Sequence, residues 1–440
     1  MKLKVSLFLN MVIIGLIFQT HAQESIDATE LVQRILSENY GVKMVRLEEE
    51  IAANNNTLGN AGFLPTVDVS GQQSITLNSV RQELANGDLN RGDNARSTSL
   101  SAMVDLNWTV FDGFRMFALK DQLGLLQDLG ELESKYYIEQ TVADAADAFY
   151  ALNAFQKLLA NYEEALEVSS FRYKLEQKKN TIGTSNALLF NQAKSDYLAD
   201  SALLSEQRLK VRQFNIQLNQ WMNDSLEKEY TAQTKSLAFD KLGQKEELIK
   251  QSVQSSRDFK RAMIEEMISE TQRKIERASR LPEIDLFASY SISRQANEVG
   301  FLKSNQNIGP GAGVRIRFNL YNGGNTNRLI KNANLERERQ QLNVKSTTQM
   351  IEASILQSYY AFNAAVDQLL MAKERESAAR KSLEVARQQY EAGAINGFDF
   401  RQTQISVLNV SNIVAELEYR IKSIEIELAR LSGNILNITL

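Results

Sequence analysis

FDGFRMFALKDQ, residues 111–122, joins two kinds of periodicity. Upstream of Phe111, apolar and polar residues alternate, which is the period of a strand. Downstream of Gly113, apolar residues recur every three or four positions, which is the period of a helix. A second stretch, LYNGGNTNRLIK at residues 320–331, makes the same change around Gly323. Twice, then, a two-faced strand passes through a glycine into a long helix.

The likeness extends outward from both stretches. Phe149-Tyr150-Ala151-Leu152-Asn153-Ala154 aligns with Tyr359-Tyr360-Ala361-Phe362-Asn363-Ala364 at an offset of 210. The same offset carries Gly113 to Gly323, Gly183 to Gly393 and Leu218 to Leu428. Pro65 and Pro282 match at an offset of 217, so the first copy holds seven more residues between its proline and its glycine. Extra length belongs in loops, and Asn78 to Ala95, rich in Asn, Gly and Asp, is where a loop is expected. The chain therefore divides into a first repeat at 23–223, a polar linker at 224–244 and a second repeat at 245–440.

Each repeat reads helix, strand, loop, strand, long helix, turn, long helix. Helix is expected from Ile26 to Gly59, and Pro65 then opens an extended segment. Strands are predicted at about 65–77 and 98–111, and again at about 282–293 and 312–321. Long helices are predicted at about 113–180 and 185–223, and again at 324–391 and 396–433. From Arg115 to Asn180 there is no proline, and such a run suits a coiled coil or helical repeat rather than a globular helix. At Thr181-Ile182-Gly183-Thr184-Ser185 the glycine suits a C-cap and a hydroxyl suits the next N-cap. Ala392-Gly393-Ala394-Ile395-Asn396 makes the second turn. Gly309-Pro310-Gly311-Ala312-Gly313 precedes a strand rather than a helix, so it is expected to be a turn and not a phosphate-binding loop.

The strands carry one apolar and one polar face. Leu100, Ala102, Val104, Leu106, Trp108 and Val110 alternate with Ser99, Ser101, Asp105, Asn107 and Thr109. Ile284, Leu286, Ala288, Tyr290 and Ile292 alternate with Glu283, Asp285, Ser289 and Ser291. Alternation alone fits any half-buried strand. Runs of ~10–13 residues are long by globular standards and near the ~9–11 needed to cross a bilayer at a tilt. Polar faces with charge of both signs suit a watery lumen, and the apolar faces would then meet lipid. Trp108 and Tyr290 are candidates for an aromatic girdle. Four strands cannot close a membrane barrel, for which about eight is the practical minimum, whereas three copies supply twelve.

The N-terminus is expected to be a signal peptide over 1–22. Lys2 and Lys4 precede an apolar run from Val5 to Phe18, and Thr20-His21-Ala22 offers small residues for a cut before Gln23. Removing it takes away His21, the single histidine, and the chain has no cysteine. Thiolate nucleophiles, histidine bases, His or Cys metal sites and disulfides are then all excluded. Loss of Lys2 and Lys4 leaves 48 basic residues against 54 acidic, which is no nucleic-acid footprint. Composition does not exclude a carboxylate-pair hydrolase, but no motif supports one.

With these features in order, the chain resembles the outer membrane efflux protein family, the TolC-like channels, over essentially its whole mature length. The resemblance rests on the duplicated unit, Phe63-Leu64-Pro65-Thr66-Val67, Phe111-Asp112-Gly113, Tyr321-Asn322-Gly323-Gly324 and the glycine turns at Gly183 and Gly393. It implies an α+β membrane protein and a homotrimer. Each chain would give four strands to a 12-stranded outer-membrane β-barrel, which continues into a long α-helical coiled-coil tunnel in the periplasm. It implies a passive exit duct for tripartite efflux or type I secretion, with a periplasmic adaptor and an inner-membrane transporter as partners. No catalytic residue, metal or cofactor is expected. Pro65, Gly113, Pro282 and Gly323 would be strand–helix junctions, and the turns at Gly183 and Gly393 the tips that meet the adaptor. In the family, a Tyr three residues before the second turn glycine and an Asp six after it take part in closing the periplasmic tip. Tyr390 and Asp399 match those positions, while Gln402 stands where a second Asp is usual and Ile395 where a basic residue is. The rival reading is a soluble periplasmic coiled-coil adaptor or scaffold, which leaves the two-faced strands unexplained.

Overall fold

A computed structural model of the chain describes residues 24–85, 87–184, 186–233, 239, 242 and 244–437. The expected signal peptide and Ser185 lie outside them. The chain forms two compact units, and each draws on both repeats. One gathers the segments up to Val42, Ile138–Leu248 and from Ile355 onward, and the other gathers Lys43–Tyr137 and Ile249–Ser354.

The second unit holds the four long strands β2 (Thr66–Glu83), β3 (Leu89–Phe111), β5 (Glu283–Asn297) and β6 (Ser304–Arg317). They form one antiparallel sheet in the order β2-β3-β5-β6. Val69 faces Val104 across the first pair, and Val104 faces Tyr290 across the second. These side chains share one sheet face, which is exposed although apolar: Val69 is 79% accessible and Ile316 68%. A contiguous apolar face left open to this degree is an interaction surface. The opposite face is polar and cross-linked, for Thr109 Oγ1 donates to Asp285 Oδ1 at 2.8 Å and Glu283 pairs with Arg317.

Three expectations about the strands are corrected. Asn78 to Ala95 is not a loop, because β2 and β3 stay paired out to Glu83 and Leu89, with a register shift between Asn78 and Val80. Polar side chains obscured it: Arg81, Gln82, Asn90 and Arg91 pair through the backbone with no apolar face to betray the ladder. Gly309–Gly313 is not a turn but the interior of β6, opposite Ser291 to Phe287. Pro310 lies in a strand that has a single partner, β5, within the chain. Gly313 is needed because a Cβ there would lie 2.6 Å from the ring of Phe287. β6 also ends at Arg317, so Phe318, Leu320 and Tyr321 follow it as exposed irregular chain. Tyr290 sits mid-strand opposite Pro310, two residues before Ile292, and Trp108 lies near the junction end of β3.

The helices α3 (Arg115–Thr181) and α7 (Asn325–Glu391) each run 67 residues, about 100 Å at 1.5 Å per residue. They return as α4 (Ala187–Met222) and α8 (Gly397–Leu431). The expected single helix from Ile26 to Gly59 is instead β1 (Glu24–Ile26), α1 (Ala28–Glu38) and α2 (Tyr40–Asn55). Asn39 makes the break: its N–H donates to Ile35 O, while its Oδ1 accepts from Gly41 N and Val42 N. The linker hides β4 (Tyr230–Ala232), which pairs in parallel with β1. Helices α5 (Lys245–Ser255) and α6 (Arg257–Ala278) precede β5.

The repeated aromatic motif makes the core of the first unit. Phe149 and Leu152 pack with Leu31, Ile35, Leu218, Tyr230 and Ile426, which joins α1, α3, α4, β4 and α8. In the second copy Phe362, Val366 and Leu369 pack against Leu417 and Ile421. No helix among the described residues is long and apolar enough to cross a membrane.

Candidate functional site

The two helix turns have the same construction. Gly183 and Gly393 take φ of 77° and 74°, a left-handed backbone that favours glycine. Thr184 N donates to Lys179 O and Gly183 N to Asn180 O, while Ala394 N donates to Gln389 O and Gly393 N to Tyr390 O. Both are Schellman ends, which satisfy the carbonyls that a helix terminus leaves open. The next helix starts on Asn186 or Asn396, whose Oδ1 accepts from the first-turn N–H groups. The expected hydroxyl cap is therefore not used: Thr184 Oγ1 points back to Lys179 O. The recurrence of Asn at the 210-residue offset was the signal for it.

Around the second turn the candidate residues separate. Asp399 and Gln402 are exposed. Asp399 lies in the first turn of α8, where a carboxylate is favoured by the helix dipole. Tyr390 is buried, stacks on Phe400 at 4.9 Å and donates its hydroxyl to Glu176 Oε1 at 2.7 Å. Burial and the neighbouring Glu176 carboxylate push the Tyr390 phenol well above its ordinary range. It is a fixed donor at physiological pH. Ile395 packs beside Tyr390 and Phe400, which accounts for an apolar residue there.

Beside Tyr390 stands a charged cluster that the sequence did not disclose. Arg401 on α8 grips Asp200 on α4 through its two terminal guanidinium nitrogens, Nη1 and Nη2, at 2.6 and 2.8 Å. Gln404 adds a third donor to Asp200 and also bonds Ala165 O on α3. Arg172 on α3 pairs with Asp196, one turn before Asp200. A Cβ on Gly397 would come within 3.0 Å of Arg172 Nη2, so this glycine lets the guanidinium lie on the start of α8. Burial opposes charge on Arg401, but Asp200 and Asp196 outweigh it and hold the guanidinium above its ordinary range. Together with Tyr390–Glu176, the cluster ties all four long helices at their turn end. Its members have no echo in the other repeat: Ser382 stands opposite Arg172, Ala386 opposite Glu176 and Val410 opposite Asp200. A search for what recurs passes over them.

The strand–helix junctions also differ between copies. Gly113 and Phe114 take φ of 74° and 70°, where the second copy has Gly323 and Gly324 at 68° and 78°. Phe114 thus accepts a strained backbone for the sake of its ring, which meets Phe111 and Phe117 at 5.3 and 6.1 Å. Phe63 adds an edge-on contact with Phe117, and its carbonyl accepts from Trp108 Nε1. Pro65 and Pro282 directly precede β2 and β5.

The sequence pattern of the outer membrane efflux protein family matches residues 31–224 and 248–434. The chain belongs to the outer membrane efflux protein family. No curated protein sequence matches this efflux protein. Its fold is similar to several solved structures. The Campylobacter jejuni CmeC outer membrane channel aligns over 93% of this chain and 86% of its own, with a TM-score of 0.79 at 14% identity. CusC aligns over 93% of each chain with a TM-score of 0.73 at 17% identity. The outer membrane protein VceC from Vibrio cholerae aligns over 92% of this chain and 96% of its own, with a TM-score of 0.71 at 16% identity. The efflux protein is an outer-membrane exit duct with a TolC-like fold, and its helices belong to a periplasmic tunnel. A soluble scaffold is not favoured.

Proposed function

We propose that three copies of the chain close a twelve-stranded barrel, continued by a coiled-coil helical tunnel. The carrying observation is the sheet itself. It has two open edges, β2 and β6, and an exposed apolar face. Unpaired strand edges cannot stand in lipid, so β2 of one copy would pair with β6 of the next. The assembly would be a passive duct without a catalytic step, serving tripartite efflux or type I secretion. The turns at Gly183 and Gly393 would meet the periplasmic adaptor, which would join the duct to an inner-membrane transporter. In detergent, the unheated protein should sediment as a trimer. A monodisperse monomer that still conducts in bilayers would contradict the proposal.

At the turn end, Tyr390–Glu176 would hold each chain's helices in the closed arrangement. Three copies of the exposed Asp399 would line the constriction, with Gln402 beside them. A ring of carboxylates favours cations. Asp399→Asn should therefore shift the reversal potential toward lower cation selectivity in planar bilayers. The shift should shrink as salt screens exposed charge beyond ~10 Å at 0.1 M. Identical reversal potentials at low salt would remove Asp399 from the constriction.

A further inference from the structure

The outward, apolar sheet face ends in the same way on three strands. Going toward the hairpin tips, the first charged residue beyond the apolar stretch is Arg81 after Leu77 on β2, Arg96 beyond Leu100 on β3 and Arg294 after Ile292 on β5. The register places them on that face. Arg96 pairs with Leu77, Arg294 pairs with Leu100, and Arg81 keeps the parity of Leu77 because the extra residue of the bulge lies on β3, at Asn94 with φ 55°. A fourth arginine, Arg91, sits directly opposite Arg81. All four are exposed, and no ion pair joins their guanidinium groups to a carboxylate among the described residues. Of the nearby acids, Glu83 shares the face of Arg81 and lies opposite Leu89, Asp88 stands at the hairpin tip, Asp93 lies in the bulge, and Glu298 accepts the backbone N–H of Arg96; none of them is ion-paired with these four guanidinium groups. At the other end of the sheet the same face ends in Ile284 and Ile316, without charge.

Like charges directly opposite in an antiparallel pair are destabilising, and a carboxylate at either position would remove the penalty. The hairpin retains two arginines instead. Guanidinium groups bind phosphate through paired N–H donors, and the level just past an apolar band is where lipid headgroups lie. We propose that Arg81, Arg91, Arg96 and Arg294 bind the phosphates of an anionic glycolipid in the outer leaflet, beside the barrel wall. The arginines are staggered, since Arg96 lies opposite Leu77 and Arg294 opposite Leu100, so each strand's arginine stands about four residues, ~14 Å, further along than that of the next strand. The tips of both hairpins lie at the end of the sheet away from the strand–helix junctions, so with the helices in the periplasm this end faces the outer leaflet. The charge asymmetry of the two rims then matches a membrane whose outer face carries the phosphates. The inference rests on the outward orientation given by the proposed barrel.

The test uses the full-length protein purified in a neutral detergent. Bisphosphorylated lipid A is added at low salt, and bound lipid is counted by native mass spectrometry. Wild type should retain it, and affinity should fall about fivefold for each arginine changed to glutamine. Dephosphorylated lipid A should bind weakly to every form. Arg315→Gln, on the opposite face, should leave binding unchanged. Arg81→Glu separates binding from structure, because it makes an ion pair with Arg91. This variant should resist heat at least as well as wild type and still lose the lipid. Equal retention by Arg81→Glu, or by the fourfold glutamine variant, would overturn the inference. So would displacement of the lipid by millimolar inorganic phosphate, which would mark a site for the free ion. A variant that loses the lipid but still conducts as a trimer leaves the barrel reading intact. Retained conduction with misplaced faces is detected separately by charge substitution at Val104.

Discussion

Arg401 offers the sharpest test of how the turn end is held. Asp200 is 2% accessible and receives two hydrogen bonds from Arg401 and one from Gln404. Arg401→Met removes two of the three and leaves a buried carboxylate without its counter-charge. Breaking a buried pair on one side costs about 3–5 kcal/mol, because the remaining charge has lost its compensation. Arg172 cannot replace the lost partner, since it is engaged with Asp196. Replacing both partners together, Arg401→Met with Asp200→Leu, removes the stranded charge and should recover most of the loss. Arg401→Lys keeps the charge but not the paired geometry, so it should fall between.

The effect is local, so the assay must be local. Amide hydrogen exchange at Gly397–Gln404 reports the opening of the α8 start from the other helices. At 1.36 kcal/mol per tenfold, the single variant should lose protection there by roughly a hundredfold to a thousandfold or more. The sheet amides should be unaffected. Two results would refute the reasoning. One is unchanged protection at Gly397–Gln404 in Arg401→Met. The other is a double variant that loses as much as the two singles combined, which would mean that Arg401 and Asp200 act independently.

Three further predictions address other parts of the chain. Val104→Arg should cost about 2–4 kcal/mol in membrane assembly, while Asp105→Arg should be tolerated, since Asp105 faces Asp68 across the pair and the change relieves a like-charge contact; equal sensitivity in heat-dependent mobility would reverse the faces. Gly113→Ala should cost about 3 kcal/mol or more, because its Cβ would lie 2.5 Å from Ala278 O as well as adopting φ 74°. Gly323→Ala meets no neighbour within 4 Å and should cost only about 1–2 kcal/mol for its backbone, a contrast readable in thermal unfolding. Asp224 is held down to about 2 by the hydroxyl of Tyr230, then by Ser225 N–H and Lys228, against the cost of burial. A folded value below the unfolded 3.8 means stability that is present above pH 3.8 and lost as pH falls toward about 2. With screening this amounts to about 1–2 kcal/mol, and unfolding midpoints of Asp224→Asn should lack that part of the acid sensitivity.

Much of the fold was legible because the chain states it twice. The period change at Gly113 and Gly323, the Schellman turns at Gly183 and Gly393, and the prolines before β2 and β5 are backbone requirements, and both copies must meet them. Two misreadings in the sheet share one cause. Gly309–Gly313 has the composition of a turn but is strand, and at Gly313 the ring of Phe287 occupies the space that a side chain would need. Asn78 to Ala95 has the composition of a loop but is strand, because a hairpin that extends beyond an apolar band has no continuous apolar face to show. In both places composition reported the surroundings of the backbone rather than its path.

The turn-end cluster was hidden for the opposite reason. Arg172, Glu176, Asp196, Asp200, Arg401 and Gln404 come from three helices, and their counterparts in the other copy are different residues. Two copies of one unit must agree wherever the backbone turns, and they are free to differ wherever a side chain meets something that only one copy faces. A four-helix end built from unequal halves needs unlike partners: a base on α8 for acids on α4, and a phenol on α7 for an acid on α3. The residues that distinguish a shut end from a loose one are therefore expected where the repeat breaks down, not where it holds. Phe114 follows the same logic at the junction. Its partner in the second copy is Gly324, which takes the same left-handed turn without strain. The first copy bears that strain so that an aromatic ring stands where the strand leaves the sheet, and the divergence, not the shared turn, marks the specialised side.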